Sequence, residues 1–295
     1  MTSRTLISLI YGRFFLILLC LAFVSCPKPL KERNVSVNGN NIQNNTGTQS
    51  QGTSEKSGDD FLDKLAQALA RARLPQEQAE VIKNAARESP SFILDLLSIM
   101  STDPYLRALV DKQHSLPGGY EPDDLEELSS TQSYRLNRQE LLLRKAAAEA
   151  LEEMALAART AGITLLVSSC YRSYQYQEEV YARNVRQLGQ AQADRESARP
   201  GHSQHQLGLA IDFGSIDDSF AETAAGRWLL VNASRFGFSL SFPKDYEEIT
   251  GYRWESWHYR YVGHDLARFI DDYFGGIQQY ALQFLQAWQE INISN

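Results

Sequence analysis

Cysteine is scarce in this chain of 295 residues, which contains Cys20, Cys26 and Cys170. Cys20 lies inside an apolar N-terminal run and Cys26 follows that run. Cys170 is therefore the single cysteine of the part expected to fold, and one cysteine cannot form a disulfide framework. No Cys/His couple with a third orienting group is evident in the sequence. We interpret Cys170 as a small apolar residue packed on a strand.

Apolar runs long enough to cross a bilayer are also lacking, because the N-terminal run from Phe14 to Val24 is too short. With Arg4 and Arg13 in front of it, residues 1–25 have the pattern of an export signal. Cys26 then matches a lipoprotein processing site, although Phe23 stands where such sites prefer Leu. We expect an exported, extracytoplasmic protein with a lipid on Cys26, anchored to a membrane. The alternatives are ordinary signal cleavage and an uncleaved anchor.

Positive charge is the third shortage, with 29 Lys and Arg against 36 Asp and Glu and a net charge of −7. Removal of the signal, with its two arginines, changes the charge to about −9. Such an acidic protein is a poor partner for the phosphate backbone, so we expect no nucleic acid partner. A hydrophobic content of 43% is sufficient for a globular core.

Large apolar residues are almost absent from residues 26–58, which favours a flexible polar tether. Residues 59–110 have helical periodicity instead, which predicts a helix from Asp59 or Asp60 to before Pro75 and others after it, from Gln76 to Arg87, from Pro90 to Met100, and a short one after Asp103. This extension is either a helical hairpin packed on the main domain or a separate docking module. The main domain is predicted over residues 111–295.

In the main domain, helical and strand patterns alternate. We predict helices over residues 136–161, 174–189, 220–236 and 277–291, and strands over residues 163–169, 208–212 and 257–262. In the second strand Gly208, Ala210 and Asp212 would share one face. We expect these small residues to leave room for a bound object beside Asp212.

His205, Asp212 and His258 are candidate metal ligands contributed by three separate segments. Two imidazoles and one carboxylate suit Zn²⁺, whose fourth position can hold water. Glu255 is the candidate general base for that water. It is an odd number of residues from His258, so the two cannot share a strand face. A turn at Glu255-Ser256 is needed to bring the carboxylate to the site.

Arg172 follows the strand over residues 163–169 and is a candidate for binding a carboxylate or polarising a carbonyl. Gln177 and Ser203 are candidate hydrogen-bond donors to a peptide substrate. His202 competes for the ligand role but is better placed as a hydrogen-bonding group in the pocket. His264 and His114 are interpreted as surface or turn residues.

Four ordered segments carry a resemblance to a known family, over roughly residues 110–280. They are Leu116-Pro-Gly-Gly-Tyr-Glu-Pro-Asp-Asp-Leu125, Tyr171-Arg-Ser-Tyr-Gln-Tyr-Gln177, Pro200-Gly-His-Ser-Gln-His-Gln-Leu-Gly-Leu-Ala-Ile-Asp212 and Glu255-Ser-Trp-His-Tyr-Arg-Tyr-Val-Gly263. In these segments the chain resembles the VanY-type D-alanyl-D-alanine carboxypeptidases, which belong to the LAS group of zinc peptidases. Gln204 departs from the commoner Glu of the family, and Ser169-Cys170 from Ser-Gly or Ser-Ala.

The resemblance implies an α+β fold, with a central antiparallel sheet flanked by helices and an N-terminal helical extension outside the family domain. It also implies zinc on His205, Asp212 and His258, with Glu255 as base and Arg172 holding the substrate with help from Gln177 and Ser203. The implied activity is removal of the terminal D-alanine from peptidoglycan stem peptides. The alternatives are L,D-carboxypeptidase or endopeptidase cleavage of the same peptides, and a non-catalytic wall-binding lipoprotein that keeps zinc for structure. The presence of Glu255 argues against the last.

Overall fold

The computed structural model describes residues 52–129 and 133–293, apart from the side chains of residues 52–57 and 59. The export signal, the lipidation site at Cys26 and most of the polar tether lie outside the described residues. No helix in the described part of the chain is long and apolar enough to cross a membrane. The described residues all fall within one compact unit, so the predicted extension and main domain are described together.

Three helices form the N-terminal part: α1 (Gly52–Ala72), α2 (Gln76–Glu88) and α3 (Pro90–Ser101). Two prolines set their boundaries, since proline lacks an N–H and is tolerated at a helix start. Pro75 caps α2, and Pro90 is the first residue of α3. Helix α1 begins before the predicted start at Asp59, so residues 52–58, assigned to the tether, are helical. The predicted fourth helix is only a 3-10 turn, Pro104–Arg107.

The strands are β1 (Leu125–Glu127), β2 (Arg135–Leu136), β3 (Leu142–Arg144), β4 (Leu166–Ser169), β5 (Ala210–Phe213), β6 (Phe238–Leu240) and β7 (His258–Tyr261). Five of them form a sheet in the order β2-β4-β5-β7-β6. Within this sheet, β4, β5, β7 and β6 pair antiparallel with their neighbours. Strands β1 and β3 form a separate antiparallel ribbon. The predicted α+β fold with a central antiparallel sheet is confirmed. The edge strand β2 departs from it by pairing parallel to β4.

The long helix predicted over residues 136–161 is wrong at its start, because helix α4 covers only Lys145–Thr160. Glu140 has a φ of +61°, in the left-handed region that an α-helix cannot contain. The residues before it pair with distant ones: the N–H of Arg135 donates to Leu165 and that of Asn137 to Val167. Long-range strand pairing therefore overrides the helical periodicity before residue 145.

The remaining helices are α5 (Tyr174–Leu188), α6 (Gln190–Glu196), α7 (Ala224–Asn232), α8 (Glu247–Thr250), α9 (His264–Phe274) and α10 (Gln278–Ile293). The helix predicted over residues 220–236 is broken. Thr223 is extended and its hydroxyl accepts from the N–H of Gly226 at 2.9 Å, which starts a new helix there. Helices α6, α8 and α9 were not predicted.

Gly208 lies outside strand β5, contrary to the prediction. It follows the 3-10 turn Gln204–Leu207 with a φ of +68°. A Cβ at this position would come within 2.9 Å of side-chain atoms of Arg144 and Leu125. Its small size therefore permits close packing against these residues, and it does not make space for a ligand.

Two hydrophobic cores hold the described residues together. The sheet core joins the strands to α4 and includes Leu151, Met154, Val167, Cys170, Ile211, Phe213 and Tyr259. The helical core joins α1, α2 and α3 to α9 and α10, and includes Leu65, Ile82, Phe92, Leu96, Phe269 and Phe284. Each fully buried Leu or Phe stabilises the fold by about 1.5–3 kcal/mol. The N-terminal helices therefore pack on the C-terminal ones in a shared core.

Candidate metal centre

The three predicted metal ligands meet at the middle of the sheet. Asp212 on β5 lies directly opposite His258 on β7. His205 stands in the 3-10 turn Gln204–Leu207 that leads into β5, and the side chain of Ser203 caps this turn by accepting from the N–H of His205. Directly opposed residues on antiparallel strands have closely spaced Cβ atoms. Sheet register and one capped turn thus position all three side chains.

The ligand atoms are close together and almost completely shielded from solvent. Nε2 of His205 lies 3.1 Å from Oδ2 of Asp212, and Nδ1 of His258 lies 3.0 Å from Oδ1. All three side chains offer one ligand atom within 4.8 Å of the others. This is the only such buried group of His, Cys or acidic residues among the described residues.

The orientation of the two imidazoles indicates that a cation belongs between these atoms. Nδ1 of His205 lies 2.6 Å from the carbonyl oxygen of Cys170, and Nε2 of His258 lies 3.3 Å from Oε1 of Gln204. Both partners are acceptors, so these nitrogens carry the ring protons and the opposite nitrogens turn lone pairs toward Asp212.

Two further observations agree with this interpretation. Burial, together with the positive charge of Arg172, lowers the pKa of His205 to about 4, so this imidazole is neutral at pH 7. Oδ1 of Asp212 is buried without a hydrogen-bond partner. Three electron-pair donors that face one another without a proton or a cation between them are costly when buried. The residues therefore fit a metal ion, and two imidazoles with one carboxylate are a donor set suited to Zn²⁺.

Gln204 orients His258 through a buried network of hydrogen bonds. Its Oε1 accepts from Oγ of Ser241 at 2.7 Å, and its Nε2 donates to Oε1 of Gln278 at 3.4 Å. Gln278 is the first residue of α10 and also donates to the carbonyl of Ser239. A group that fixes the second nitrogen of a ligating histidine sets both its tautomer and its orientation. The sequence identified Gln204 as a departure from the family pattern without assigning it this contact.

Glu255 lies beside the ligands, as predicted, and a turn brings it there. The N–H of His258 closes the turn onto the carbonyl of Glu255 at 3.4 Å. Its Oε2 is then 3.5 Å from Nδ1 of His258. Burial first, and then the negative charge of Asp212, raise the pKa of Glu255 well above its ordinary value. A carboxylate with a raised affinity for protons, next to a metal site, is suited to accept one from water.

Arg172 reaches the site from the loop after β4. Its Nη2 lies 3.5 Å from Oδ2 of Asp212 and donates to Oγ of Ser169 at 3.0 Å. Its Nη1 donates to Oε1 of Gln177 at 2.9 Å. The guanidinium is therefore held at the edge of the ligand cluster by two neutral acceptors.

Gln177 differs from its predicted role in substrate binding. Its side chain is completely buried, and its Nε2 donates to the carbonyl of Ala198 at 2.6 Å. Its Oε1 accepts from Arg172. The structure assigns Gln177 to holding Arg172 in place.

Ser203 lines the cleft above the ligands, where the sequence placed a substrate donor. The other histidines stand apart from the ligand cluster. His202 also lines the cleft and pairs through Nδ1 with the carbonyl of Asp111 at 2.7 Å. His114 pairs with the Asp111 side chain, and His264 is an exposed residue that begins α9.

An open cleft of about 460 Å³ gives access to the ligands. Its walls include Arg138, Tyr176 and Arg183, none of which was singled out as a functional residue from the sequence. Arg138 comes from the loop before β3, and the other two come from α5. Tyr176 belongs to the segment Tyr171–Gln177 that resembles the family, whereas only proximity in the fold identifies Arg138 and Arg183.

A buried metal-ligand set, a carboxylate of raised pKa beside it and an accessible cleft form the arrangement of a metal-dependent hydrolase. Comparison with known proteins narrows this class. Residues 140–264 match the family model of VanY, D-alanyl-D-alanine carboxypeptidase. YodJ of Bacillus subtilis (strain 168), which carries a provisional name as a carboxypeptidase, is 40% identical over 185 residues, covering 61% of this chain and 68% of YodJ.

Two solved structures are similar in both sequence and fold. The LdcB LD-carboxypeptidase is 38% identical with a TM-score of 0.53, covering 58% of this chain and 86% of LdcB. A variant of the D,D-pentapeptidase VanY from a VanB-type vancomycin resistance cassette, in complex with Zn(II), is 33% identical with a TM-score of 0.50, covering 60% of this chain and 99% of that one. The chain belongs to the VanY family of D-alanyl-D-alanine carboxypeptidases, and it is an enzyme of the carboxypeptidase type.

Proposed function

We propose that this protein is a zinc carboxypeptidase that removes the terminal D-alanine from peptidoglycan stem peptides. The observation that carries the proposal is the convergence of His205, Asp212 and His258 with their lone pairs facing one another, and Glu255 3.5 Å from the last ligand. The family assignment and the zinc-containing VanY relative support the same chemistry.

When bound at this site, zinc supplies a Lewis acid that polarises the scissile carbonyl and makes water more acidic. Glu255 accepts a proton from the attacking water as the water oxygen bonds to the carbonyl carbon. The carbon–nitrogen bond then breaks, and Glu255 returns the proton to the departing amine of D-alanine. The raised pKa of Glu255 suits both directions of this transfer.

Arg172 provides the fixed positive charge that the substrate needs. Its guanidinium is held by Gln177 and Ser169 within reach of the ligand cluster. From that position it can bind the terminal carboxylate or the oxygen on which charge develops. Ser203, on the same cleft, is the candidate donor to the peptide backbone.

The alternative within the same chemistry is L,D cleavage, which removes D-alanine from a tetrapeptide stem. The similarity to the LdcB LD-carboxypeptidase supports it, whereas the family description favours D,D cleavage. Incubating the purified protein with defined penta- and tetrapeptide stems, with product masses measured by mass spectrometry, distinguishes them. Release of one D-alanine from the pentapeptide supports the D,D activity. Binding of zinc and peptidoglycan without any cleavage would contradict the enzyme and favour a wall-binding lipoprotein.

We also propose that the protein is exported and held at a membrane by a lipid on Cys26. The apolar run before Cys26 and the polar composition after it support this. The full-length protein should partition into the detergent phase, and Cys26→Ala should move it to the aqueous phase. Unchanged partitioning, with no acyl mass on the N-terminal peptide, would contradict the anchor.

A further inference from the structure

The cleft is lined by charged groups of both signs. Arg138, Arg172, Arg183 and Arg253 contribute guanidinium groups, and Glu196 and Glu255 contribute carboxylates. Arg138 contacts Tyr176, which is on the same helix, α5, as Arg183. The protein as a whole is acidic, with a net charge of −7. A local concentration of guanidinium groups beside the candidate metal centre therefore runs against the overall charge of the chain.

Two of the arginines that line the cleft have acidic partners and two do not. Arg172 lies against Asp212, and Arg253 is paired with Asp218. Arg138 and Arg183 form no ion pair in the described part of the chain, and both are exposed. Their positive charges are consequently available to a ligand that enters the cleft.

Tyr176 links this pair to the centre of the site. The guanidinium of Arg138 lies over its ring at 5.8 Å, and Nη1 of Arg138 donates to its hydroxyl at 3.5 Å. The hydrogen bond from Arg138, with the charges of Arg138, Arg172 and Arg183, lowers the pKa of Tyr176. Arg138 therefore contacts the phenol, and Arg172 and Arg183 line the same cleft. Of these three arginines, only Arg172 contacts a metal-ligand candidate.

The chemistry of such a pair favours carboxylates. Guanidinium groups bind carboxylates through paired, charge-assisted hydrogen bonds. The terminal carboxylate of the substrate is one residue from the scissile carbonyl, within the reach of Arg172. A stem peptide also carries internal carboxylates, on its γ-linked glutamate and, in some peptidoglycans, on its diamino acid. These carboxylates are further from the scissile bond than the terminal one, so a different group of the cleft must bind them.

We propose that Arg138 and Arg183 form a second carboxylate subsite, which selects stem peptides with a free internal carboxylate over amidated ones. This inference rests on the proposed function and specifies its substrate class. The residues are positioned to recognise the substrate and take no part in the bond-breaking step. Loss of the subsite should accordingly raise KM and leave kcat nearly unchanged.

The test compares four synthetic stem peptides of the length that the wild-type enzyme cleaves. Both internal carboxylates are free in the first, one or the other is amidated in the second and third, and both are amidated in the fourth. We expect kcat/KM of the wild type to be about 3- to 20-fold higher for the free form, because exposed ion pairs contribute modestly. If amidation of one internal carboxylate alone lowers kcat/KM to the value of the doubly amidated peptide, that carboxylate is the one that the subsite binds.

The variants Arg138→Ala and Arg183→Ala should lose this preference by acting poorly on the free peptide while cleaving the doubly amidated one like the wild type. Arg186→Ala is the matched control. Arg186 is exposed on α5, the helix that contains Arg183, and it does not line the cleft. The preference should also weaken as salt is raised, since the charges are exposed.

Two results would overturn the inference, and they differ from failure of the proposed function. Equal kcat/KM of the wild type for free and amidated peptides would remove the subsite while leaving the carboxypeptidase activity intact. A preference that survives in a variant carrying both Arg138→Ala and Arg183→Ala would assign the recognition to other residues. If the wild type releases no D-alanine from any of the four peptides, and none from stem peptides of other lengths, both proposals are contradicted together.

Discussion

The sheet core and the helical core bury similar apolar side chains but differ in their polar content. His205, Asp212, Glu255 and His258 are all buried around the sheet, together with the uncharged partners that orient them. The helical core is almost entirely apolar. Among the described side chains of its helices, only those of Gln278 and Gln279 on α10 are buried and polar. Buried polar groups are costly unless they are paired. The helical core therefore mainly stabilises the fold, whereas the sheet core also positions the polar groups of the candidate metal centre.

The two regions meet where α10 begins. Gln278 connects to Gln204 and Ser241 beneath His258, and Gln279 donates to Oδ2 of Asp111 at 2.8 Å. These contacts are side-chain hydrogen bonds, so each contributes about 0.5–1.5 kcal/mol at most. Helix α10 thus packs with one set of residues in the helical core and orients the site with another.

The largest expected effect is the removal of a metal ligand from the sheet core. His205→Ala, Asp212→Ala or His258→Ala should each lose bound zinc and reduce D-alanine release to background, because each removes one of three ligands. Metal content and peptide hydrolysis are measured on the same folded sample. His264→Ala is the control, since His264 is exposed at the start of α9. Wild-type zinc content in all three ligand variants would refute the assignment.

The second prediction removes a side chain from the helical core. Phe92 is fully buried and its ring lies 5.0–6.5 Å from those of Phe269, Tyr273 and Phe284. Phe92→Ala should lower the free energy of unfolding by about 3–5 kcal/mol, because a cavity replaces the ring. Chemical denaturation measures this change.

The activity of that variant sharpens the comparison. Below the unfolding transition, kcat/KM of Phe92→Ala should equal that of the wild type, because the helical core holds no catalytic group. Leu94→Ala is the matched control, as Leu94 is on the same helix and 67% exposed. A variant that remained folded but lost hydrolysis would show that the two regions are functionally coupled.

The third prediction concerns the contact between the regions. Gln204→Leu removes the acceptor of His258 Nε2 at nearly constant volume, and it should weaken zinc affinity about 10–100-fold. Gln204→Glu should keep or strengthen zinc binding, because a carboxylate also accepts this hydrogen bond. Competition with a chromogenic chelator measures both. Equal zinc affinities of Gln204→Leu and the wild type would show that Gln204 has no influence on metal binding.

The predicted metal ligands and base depend on local spacing, which is why the sequence was sufficient to predict that their side chains lie together. His205, Asp212, Glu255 and His258 stand in two short segments whose turns and strands fix their side chains. The fold class was implied by the resemblance to the VanY family, and the structure confirms it.

The parts that the sequence did not reveal depend on distant contacts. The helix predicted from residue 136 gives way to strands because β2 pairs with β4, far along the chain. Gln177 turns inward because Arg172 and the carbonyl of Ala198 surround it. Arg138 and Arg183 line the same cleft only after folding. Single-sequence periodicity contains no information on such pairings.

The most direct test of the account is the isosteric variant Glu255→Gln, with zinc content and D-alanine release measured on the same preparation. Glu255 is assigned as the base and not as a ligand, so the variant should bind zinc like the wild type. Its hydrolysis should fall by about 10²–10⁴, the usual cost of losing a general base. Release of D-alanine at a near wild-type rate, with zinc bound, would contradict the central claim.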